Sequence, residues 1–147
     1  MTAATKDHYL VQSGTPEELL PVLRSYPMNA TSKVYAGTIV GLDTGGNAGP
    51  ADGTTFANVV GVAERGADNT AAGAADGDVQ VLVRRGVFGK FTQTGTAIDK
   101  TKIGAKVYAV DDSTLSLASS GNAFAGYVDS IQDGIVMYAI AVHVLGA

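Results

Sequence analysis

Short apolar runs separated by turn residues follow one another along most of the chain from Lys33 onward. In residues 79–84 every odd position is valine, whereas Gln80 and Arg84 occupy even positions, and this alternation predicts a strand with one face in the core. Short runs rich in β-branched residues are typical of a β-sandwich or a β-barrel. The predicted strands are 34–42, 58–64, 79–84, 86–91, 105–110, 114–117, 123–131 and 135–144.

Turn residues predict how several of these strands are joined. Asp133-Gly134 separates two apolar runs and predicts a tight hairpin, because both central residues of the favoured turn need positive φ. The last run, 135–144, is almost continuously apolar, which predicts burial on both faces, within a barrel or at a subunit contact. Residues 43–53 and 65–77 are rich in Gly, Asn, Asp and Ala, and we expect surface loops there.

The N-terminal part of the chain has a different pattern. Residues 1–14 are mostly polar and without periodicity, which predicts an extended arm outside a single domain formed by residues 15–147. Thr-Pro-Glu-Glu at 15–18 has the order of a helix N-terminus with a capping box. Pro21 limits that helix to a short or kinked element within an apolar patch that ends at Leu23. We therefore expect at most one or two short helices in a mainly β protein.

Length and composition restrict the class of protein further. The 147 residues suffice for one hydrophobic core, and 19 glycines make a helix-rich architecture unfavourable. The absence of Cys excludes disulfides, thiolate metal sites and cysteine nucleophiles. A net charge of -4 with 10 Lys and Arg argues against nucleic acid as a partner. Because no leader or long apolar segment is evident, we expect synthesis in a cytoplasm and no membrane partner.

Few residues are suited to catalysis or metal binding. His8 falls in the arm and His143 in the last predicted strand, and both are interpreted as structural or partner-contacting residues. Asp111 and Asp112 are adjacent, so their carboxylates would diverge in a strand, and a turn is the simpler interpretation. Asp-Gly-Asp at 76–78 lacks the later bidentate Glu of a calcium loop. We therefore expect no enzyme activity, no cofactor and no metal site.

Eight short elements follow one another in a fixed order between Tyr26 and Val144. They are Tyr-Pro at 26–27, Tyr-Ala-Gly-Thr to Leu-Asp at 35–43, Val-Val-Gly-Val-Ala-Glu at 59–64, Asp-Asn at 68–69, Gly-Asp to Val-Arg-Arg-Gly-Val-Phe at 77–88, Ile-Gly-Ala-Lys-Val-Tyr-Ala-Val-Asp-Asp at 103–112, Ala-Gly-Tyr-Val at 125–128 and Asp-Gly-Ile-Val at 133–136. In this order they resemble the head decoration, or capsid cement, proteins of tailed bacteriophages. Each element is weak alone, and the likeness lies in their order over about 120 residues.

The resemblance implies a small β-barrel or β-tulip-like domain that forms a homotrimer on the outside of the expanded capsid. The implied partner is the phage major capsid protein, contacted at threefold or quasi-threefold positions of a virion that is made in a bacterial cytoplasm. The implied role is structural, because such a protein stabilises the shell against the pressure of packaged DNA. The last strand departs from the family pattern, which often has Trp and a basic residue where residues 136–143 read Val-Met-Tyr-Ala-Ile-Ala-Val-His.

Contact with the capsid or a neighbouring subunit is predicted for bulky apolar residues of the arm and of the Tyr-Pro element. These residues are Tyr9, Leu10, Val11, Tyr26 and Met28. The other aromatic residues are spread over the predicted strands, where packing in the core or between subunits is the default interpretation. Two alternatives stay open. One is another virion protein, such as a head-fibre or tail-tube subunit, and the other is a small β-barrel that binds carbohydrate or another ligand through aromatics clustered at one mouth.

Overall fold

The computed structural model describes residues 22–142, which form strands joined by turns. The strands are β1 (Val22–Pro27), β2 (Lys33–Val34), β3 (Ile39–Leu42), β4 (Ala48–Pro50), β5 (Asn58–Ala63), β6 (Ala67–Asp68), β7 (Gln80–Gly89), β8 (Thr92–Thr94), β9 (Lys106–Ala109), β10 (Thr114–Ser116), β11 (Ala123–Gln132) and β12 (Ile135–Ile140). A single-turn 3-10 helix, Lys100–Lys102, is capped by Asp99, whose carboxylate accepts from the Thr101 N–H. The predicted mainly β class is confirmed.

Ten of these strands form one large sheet that is joined through β7. Its order is β4-β3-β5-β7-β12-β11-β9-β10-β8, and β1 also pairs with β7. The first part of β7, as far as Arg85, pairs with β1 and β5, and residues 86–89 pair with β12. Every pair is antiparallel except β8 with β10. The end strands β4 and β8 do not pair with each other, so across residues 22–142 the sheet is open rather than a closed barrel.

Two hydrophobic clusters lie on opposite sides of β5. Val59 and Val62 pack into a first cluster with residues of β9, β11 and β12, whereas Val60 and Ala63 pack into a second with residues of β1, β2 and β7 and with Met28. A bulge in the pairing with β3 leaves Val60 without a partner, which accounts for the three-residue spacing within each pair. Burial on both faces explains why this strand is continuously apolar in the sequence.

Two local predictions are confirmed in detail. In β7 the side chains of Val81 and Val83 are fully buried in the second cluster, as the alternation of 79–84 predicts. Asp133 and Gly134 have φ values of 52° and 78° and connect β11 to β12 in an antiparallel hairpin. Both features follow from local rules, the period of two along a strand and the positive φ of a tight turn.

The predicted strand 34–42 is wrong as a single element. The chain turns after Val34, where the Thr38 N–H donates to the Tyr35 carbonyl at 3.3 Å and Gly37 has a φ of 79°. The two resulting strands belong to different sheets, since β2 pairs with β6 and β3 joins the large sheet. Gly37 and Thr38, which were predicted to lie within a strand, therefore form a turn.

Four strands were not predicted, namely β1 and the short strands β4, β6 and β8, and one strand was predicted as two. β4 lies within the expected loop 43–53 and β6 within 65–77, where Gly, Pro and Asp hide any alternation. β8 is Thr-Gln-Thr, which has no apolar residue to mark it. The predicted strands 79–84 and 86–91 are one ten-residue strand, β7, that passes through Gly86 without interruption.

At the start of the described chain, Val22 and Leu23 lie in β1, so the predicted helix does not extend into them. They pair with Arg85 and Arg84 of β7. The predicted arm and helix start lie in residues 1–21, outside the described residues, and so does His143.

The last strand is shorter and less buried than predicted. It ends at Ile140, and its burial alternates, with Tyr138 and Ile140 buried and Ile135 39% exposed. Within the single chain β12 is therefore not buried on both faces, and burial of its second face at a subunit contact stays a prediction. One side of β12 packs in the first cluster, and the other side is only half-covered.

Candidate functional site

Both ends of the described chain lie at the middle of β7. Val22, the first residue of β1, pairs with Arg85, and Ile140, the last residue of β12, pairs with Gly86. Arg85 and Gly86 are consecutive residues, so the chain segments before β1 and after β12 are attached to neighbouring points of one strand. The first residue of β1 and the last residue of β12 therefore lie side by side, at the place where the two halves of the large sheet meet.

A buried arginine occupies this junction. Arg85 is 8% exposed; its Nε donates to the Val60 carbonyl at 3.1 Å, and its Nη2 donates to the Tyr26 hydroxyl. Within residues 22–142 no carboxylate forms an ion pair with it. Buried arginines are usually paired with an acid. Here the side chain is held by neutral oxygens, and the sequence alone did not mark it as special.

The Arg-Arg pair of the sequence is divided between the two faces of β7. Arg84 donates from Nε and Nη2 to the two carboxylate oxygens of Glu64, at 2.8 and 2.7 Å, on a half-exposed surface. Arg85 points to the opposite face because neighbouring strand residues alternate. The two cations therefore do not form a joint basic patch.

The predicted contact residues are placed very differently. Tyr26 is half-buried beside Arg85 and packs against the second cluster. Met28 is fully buried in that cluster, so in this conformation its side chain has no surface to offer a partner. Tyr9, Leu10 and Val11 lie outside the described residues. Contact with a partner stays a prediction for Tyr26 and for the three arm residues.

Asn69 anchors the loop between β6 and β7 from inside. Its Nδ2 lies 3.3, 3.2 and 3.1 Å from the carbonyl oxygens of Met28, Asn29 and Ala75, and the residue is 1% exposed. Its Oδ1 has no hydrogen-bond partner among the described residues. This asparagine belongs to the Asp-Asn element of the sequence. Its side chain connects its own loop to the backbone at residues 28–29 and at residue 75, which explains the element structurally.

The paired acids at 111 and 112 form a turn, as predicted. The Asp111 carboxylate accepts from the Ser113 N–H at 2.9 Å, and that hydrogen bond, against a smaller effect of burial, holds the pKa of Asp111 below its ordinary value. Burial, together with the neighbouring Asp111, raises the pKa of Asp112. The pair lies in the turn between β9 and β10, where the two carboxylates have different surroundings and pKa shifts of opposite direction.

The carboxylates of the loop residues Asp43 and Asp76 also accept hydrogen bonds from backbone N–H groups. The Asp43 carboxylate accepts from the N–H groups of Asn47 and Gly45 and from Asn29 Nδ2, and these contacts lower its pKa. Asp76 accepts from the backbone of Ala30 at 2.7 Å. Across residues 22–142 no group of three or more His, Cys, Asp or Glu side chains is placed to hold a metal ion. A shallow depression of about 520 Å³ beside Asp43 is bordered by Thr44, Thr54 and Thr55 among others.

The solvent side of the second half of the large sheet is apolar. Two rows of paired residues cross its strands: Val87, Ala139, Tyr127 and Lys106 form one, and Gly89, Met137 and Ser130 form the other. Paired residues share a face of the sheet. The intervening Phe88, Tyr138 and Val128 pack in the first cluster, so the two rows point away from it. We call this surface, together with Ile135, Tyr108 and Phe124, the outer face.

Aromatic rings gather on this outer face, contrary to the expectation that they are spread out. The ring of Phe124 lies 5.8 Å from that of Tyr108 and 5.5 Å from that of Tyr127, centre to centre. The rings are inclined by 59° and 82°, so they pack edge to face rather than as one flat platform. Lys106 Nζ lies 5.8 Å from the centre of the Phe124 ring. Strand pairing brings these residues together, which their spacing in the sequence could not indicate.

Comparison with known proteins leaves the chain without an assigned relative. No protein-family model, curated protein or solved structure matches it. In the part of the chain that the structure describes, no helix is long and apolar enough to cross a membrane.

Proposed function

We propose that this protein is a head decoration protein of a tailed bacteriophage. It binds the exterior of the expanded capsid as a homotrimer, at threefold or quasi-threefold positions, and stabilises the shell against the pressure of packaged DNA. The observation that carries the proposal is the fixed order of the eight sequence elements from Tyr26 to the final hairpin. The partner is the phage major capsid protein, and the protein acts without a cofactor and without catalysis.

The positions of the eight elements in the fold support the proposal. They include the end of β1, all of β3, nearly all of β5, most of β7, all of β9 and the hairpin between β11 and β12. The Asp-Asn element contributes Asn69, which holds three carbonyl groups. The sequence elements therefore coincide with strands of the sheet and with the buried Asn69, as expected if together they specify one fold rather than unrelated surface motifs.

The chemistry of the described surface also favours a binding role. The carboxylates of Asp43, Asp52 and Asp111 accept hydrogen bonds from backbone N–H groups of their own turns, which leaves them as parts of the scaffold. A cement protein needs contact area repeated by symmetry, because linked copies gain avidity through effective concentration. If each subunit buried about 1,000 Å² on a shell, the gross apolar contribution would be about 25 kcal/mol, most of which association and ordering would cancel.

The arm supplies a testable contact. Residues 1–14 precede β1 in the sequence, and Tyr9, Leu10 and Val11 are their bulky apolar cluster. Burying one such side chain contributes about 1.5–3 kcal/mol, so loss of the cluster should weaken binding per subunit by at least about tenfold. An extended segment of this kind can also add to an exposed sheet edge through its backbone.

The experiment uses expanded, undecorated shells assembled from the major capsid protein of the same genome. The full chain should decorate them at threefold positions in cryo-electron micrographs. Deleting residues 2–13 should reduce occupancy while the circular dichroism and the melting temperature stay unchanged. A full-length variant with Tyr9, Leu10 and Val11 all changed to Ser separates loss of apolar contact from loss of length.

Other results would point elsewhere. Full occupancy by the deletion variant would remove the arm from the contact, and absence of the intact protein from the shells would refute the decoration role. Binding to tails or fibres instead would favour the other virion functions. A glycan array tests the ligand-binding alternative, which the inclined rings of Tyr108, Phe124 and Tyr127 do not favour, since sugars stack on flat, exposed ring faces.

A further inference from the structure

The chain contains three Asp-Gly pairs, at 52–53, 76–77 and 133–134. Such a pair is prone to a reaction of its own backbone, because glycine has no side chain to shield the amide nitrogen that follows the carboxyl group. That nitrogen can attack the aspartate Cγ, and the five-membered ring that forms reopens to aspartate or to isoaspartate. In a folded protein the carboxyl group and the amide must be free to move, so the contacts of the three pairs decide where the reaction occurs.

The first pair is held on both sides. The Asp52 carboxylate accepts three backbone N–H groups, at 3.0, 2.7 and 2.9 Å, from Thr54, Thr55 and Phe56. Gly53 packs so closely that a Cβ there would lie 1.7 Å from a backbone carbonyl oxygen. The carboxyl group is therefore fixed away from the amide, and the backbone has no space in which to rotate.

The second pair has both of its reacting groups engaged in hydrogen bonds. The Asp76 carboxylate accepts from the Ala30 N–H at 2.7 Å and from Asn47 Nδ2 at 3.3 Å. The Gly77 N–H, which would have to attack, donates to the Met28 carbonyl at 2.8 Å. These contacts must break before the ring can close.

The third pair has no such restraint. Asp133 and Gly134 are exposed at the tip of the hairpin, beyond the paired residues Gln132 and Ile135. Among residues 22–142 the Asp133 carboxylate has no hydrogen-bond donor, and the Gly134 N–H has no acceptor. Nothing lies within 4 Å of the position that a Cβ of Gly134 would take. The tip therefore has room for the backbone rotation that brings the Gly134 nitrogen to the Asp133 Cγ.

We infer that Asp133-Gly134 is a site of spontaneous isomerisation to isoaspartate in the folded protein. The Gly134 nitrogen bonds to the Asp133 Cγ, a carbon–oxygen bond of the carboxyl group breaks, and the hydroxyl leaves with the amide proton as water. Water then opens the ring. When it breaks the bond between the Asp133 backbone carbonyl carbon and the Gly134 nitrogen, isoaspartate remains, and the chain continues through Cβ. The two-residue turn is then longer by one methylene, and the mass is unchanged. This inference concerns the chain itself and does not rest on the proposed function.

The test incubates the folded full chain in mildly acidic buffer and locates isoaspartate in its chymotryptic peptides by electron-transfer fragmentation, which distinguishes the two isomers. The same chain unfolded in guanidinium chloride is the reference, because all three pairs should react there at similar rates. In the folded chain isoaspartate should accumulate at residue 133. It should form at least about tenfold more slowly at residues 52 and 76, where local opening must come first.

Asp133→Glu is the matched variant, because it keeps the charge but would need a six-membered ring. It should contain no isoaspartate in peptide 128–138, which chymotrypsin releases by cutting after Tyr127 and Tyr138. Asp129 lies in the same peptide, so isoaspartate found there in the variant would overturn the assignment to Asp133. Equal rates at the three pairs of the folded chain, or no conversion at residue 133 while the unfolded chain converts, would overturn the inference as well.

Discussion

Replacing Asn69 should destabilise the protein more than its small size suggests. Its Nδ2 lies within 3.1 to 3.3 Å of three backbone carbonyl oxygens, those of Met28, Asn29 and Ala75, and the asparagine itself is 1% exposed. An amide NH₂ has two hydrogens, so it supplies about two full hydrogen bonds shared among three acceptors. Asn69→Ala removes both and leaves the carbonyls without this donor. At about 1–2 kcal/mol for each bond lost in a buried site, the free energy of unfolding should fall by about 2–4 kcal/mol.

Urea unfolding and calorimetry measure this loss directly. For a domain of this length the melting temperature should fall by roughly 5–15 °C. Asn69→Asp tests the direction of the amide, because it would aim a carboxylate oxygen at the three carbonyls. It should be worse than Ala at neutral pH and should recover in part in acid, where a protonated carboxyl can donate again. Asn58→Ala, at an exposed position that begins β5, is the control. Equal effects of Asn69→Ala and Asn58→Ala would refute the anchoring role.

Two further changes test the backbone contacts and the electrostatics of the turns. Gly53→Ala should lower the free energy of unfolding by several kcal/mol, because the new Cβ would lie 1.7 Å from the Gly121 carbonyl oxygen. In Gly45→Ala the new Cβ meets only side-chain atoms at 3.3 Å, and the loss should be about 1 kcal/mol or less. Urea unfolding of the two variants measures the difference. The pKa of Asp112 is raised in the folded state by burial and by Asp111, so its ionisation opposes folding above that pKa and not below the ordinary value of 3.8. Asp112→Asn should therefore raise the free energy of unfolding near neutral pH and leave it unchanged in strong acid. Unfolding curves measured over a pH series would contradict the raised pKa of Asp112 if the difference between variant and wild type stayed the same at every pH.

Local rules identified the element types well but failed on how the elements are arranged. The alternation of 79–84 and the hairpin at Asp133 depend on neighbouring residues only, and both are confirmed. The short strands β4, β6 and β8 form because neighbouring strands supply their hydrogen bonds. A segment of two or three polar or small residues does not indicate those neighbours. For the same reason the sequence did not indicate that the sheet is open, because this depends on whether its two end strands, β4 and β8, pair with each other.

The candidate surfaces were hidden for a related reason. Tyr108, Phe124 and Tyr127 are up to 19 positions apart in the sequence, and the antiparallel pairing of β9 with β11 is what brings them together. Met28 follows the Tyr-Pro element like a surface residue, but it is buried because β2, β4 and β7 close around it. Strand alternation separates Arg84 from Arg85, but it does not indicate that Arg85 is buried between the Val60 carbonyl and the Tyr26 hydroxyl, because those groups come from other strands.

One face of β7 shows how the same pattern leads to opposite environments. Val81, Val83, Arg85 and Val87 are successive odd positions and lie on one side of the strand. The first two are fully buried in the second cluster, where Val34 of β2 also packs, the third is 8% exposed, and Val87 is 47% exposed. Periodicity fixes the side on which a residue lies, but the cover on that side ends between positions 85 and 87. Whether an apolar residue on that side is covered therefore depends on the tertiary packing around it, which the period of a single strand does not determine.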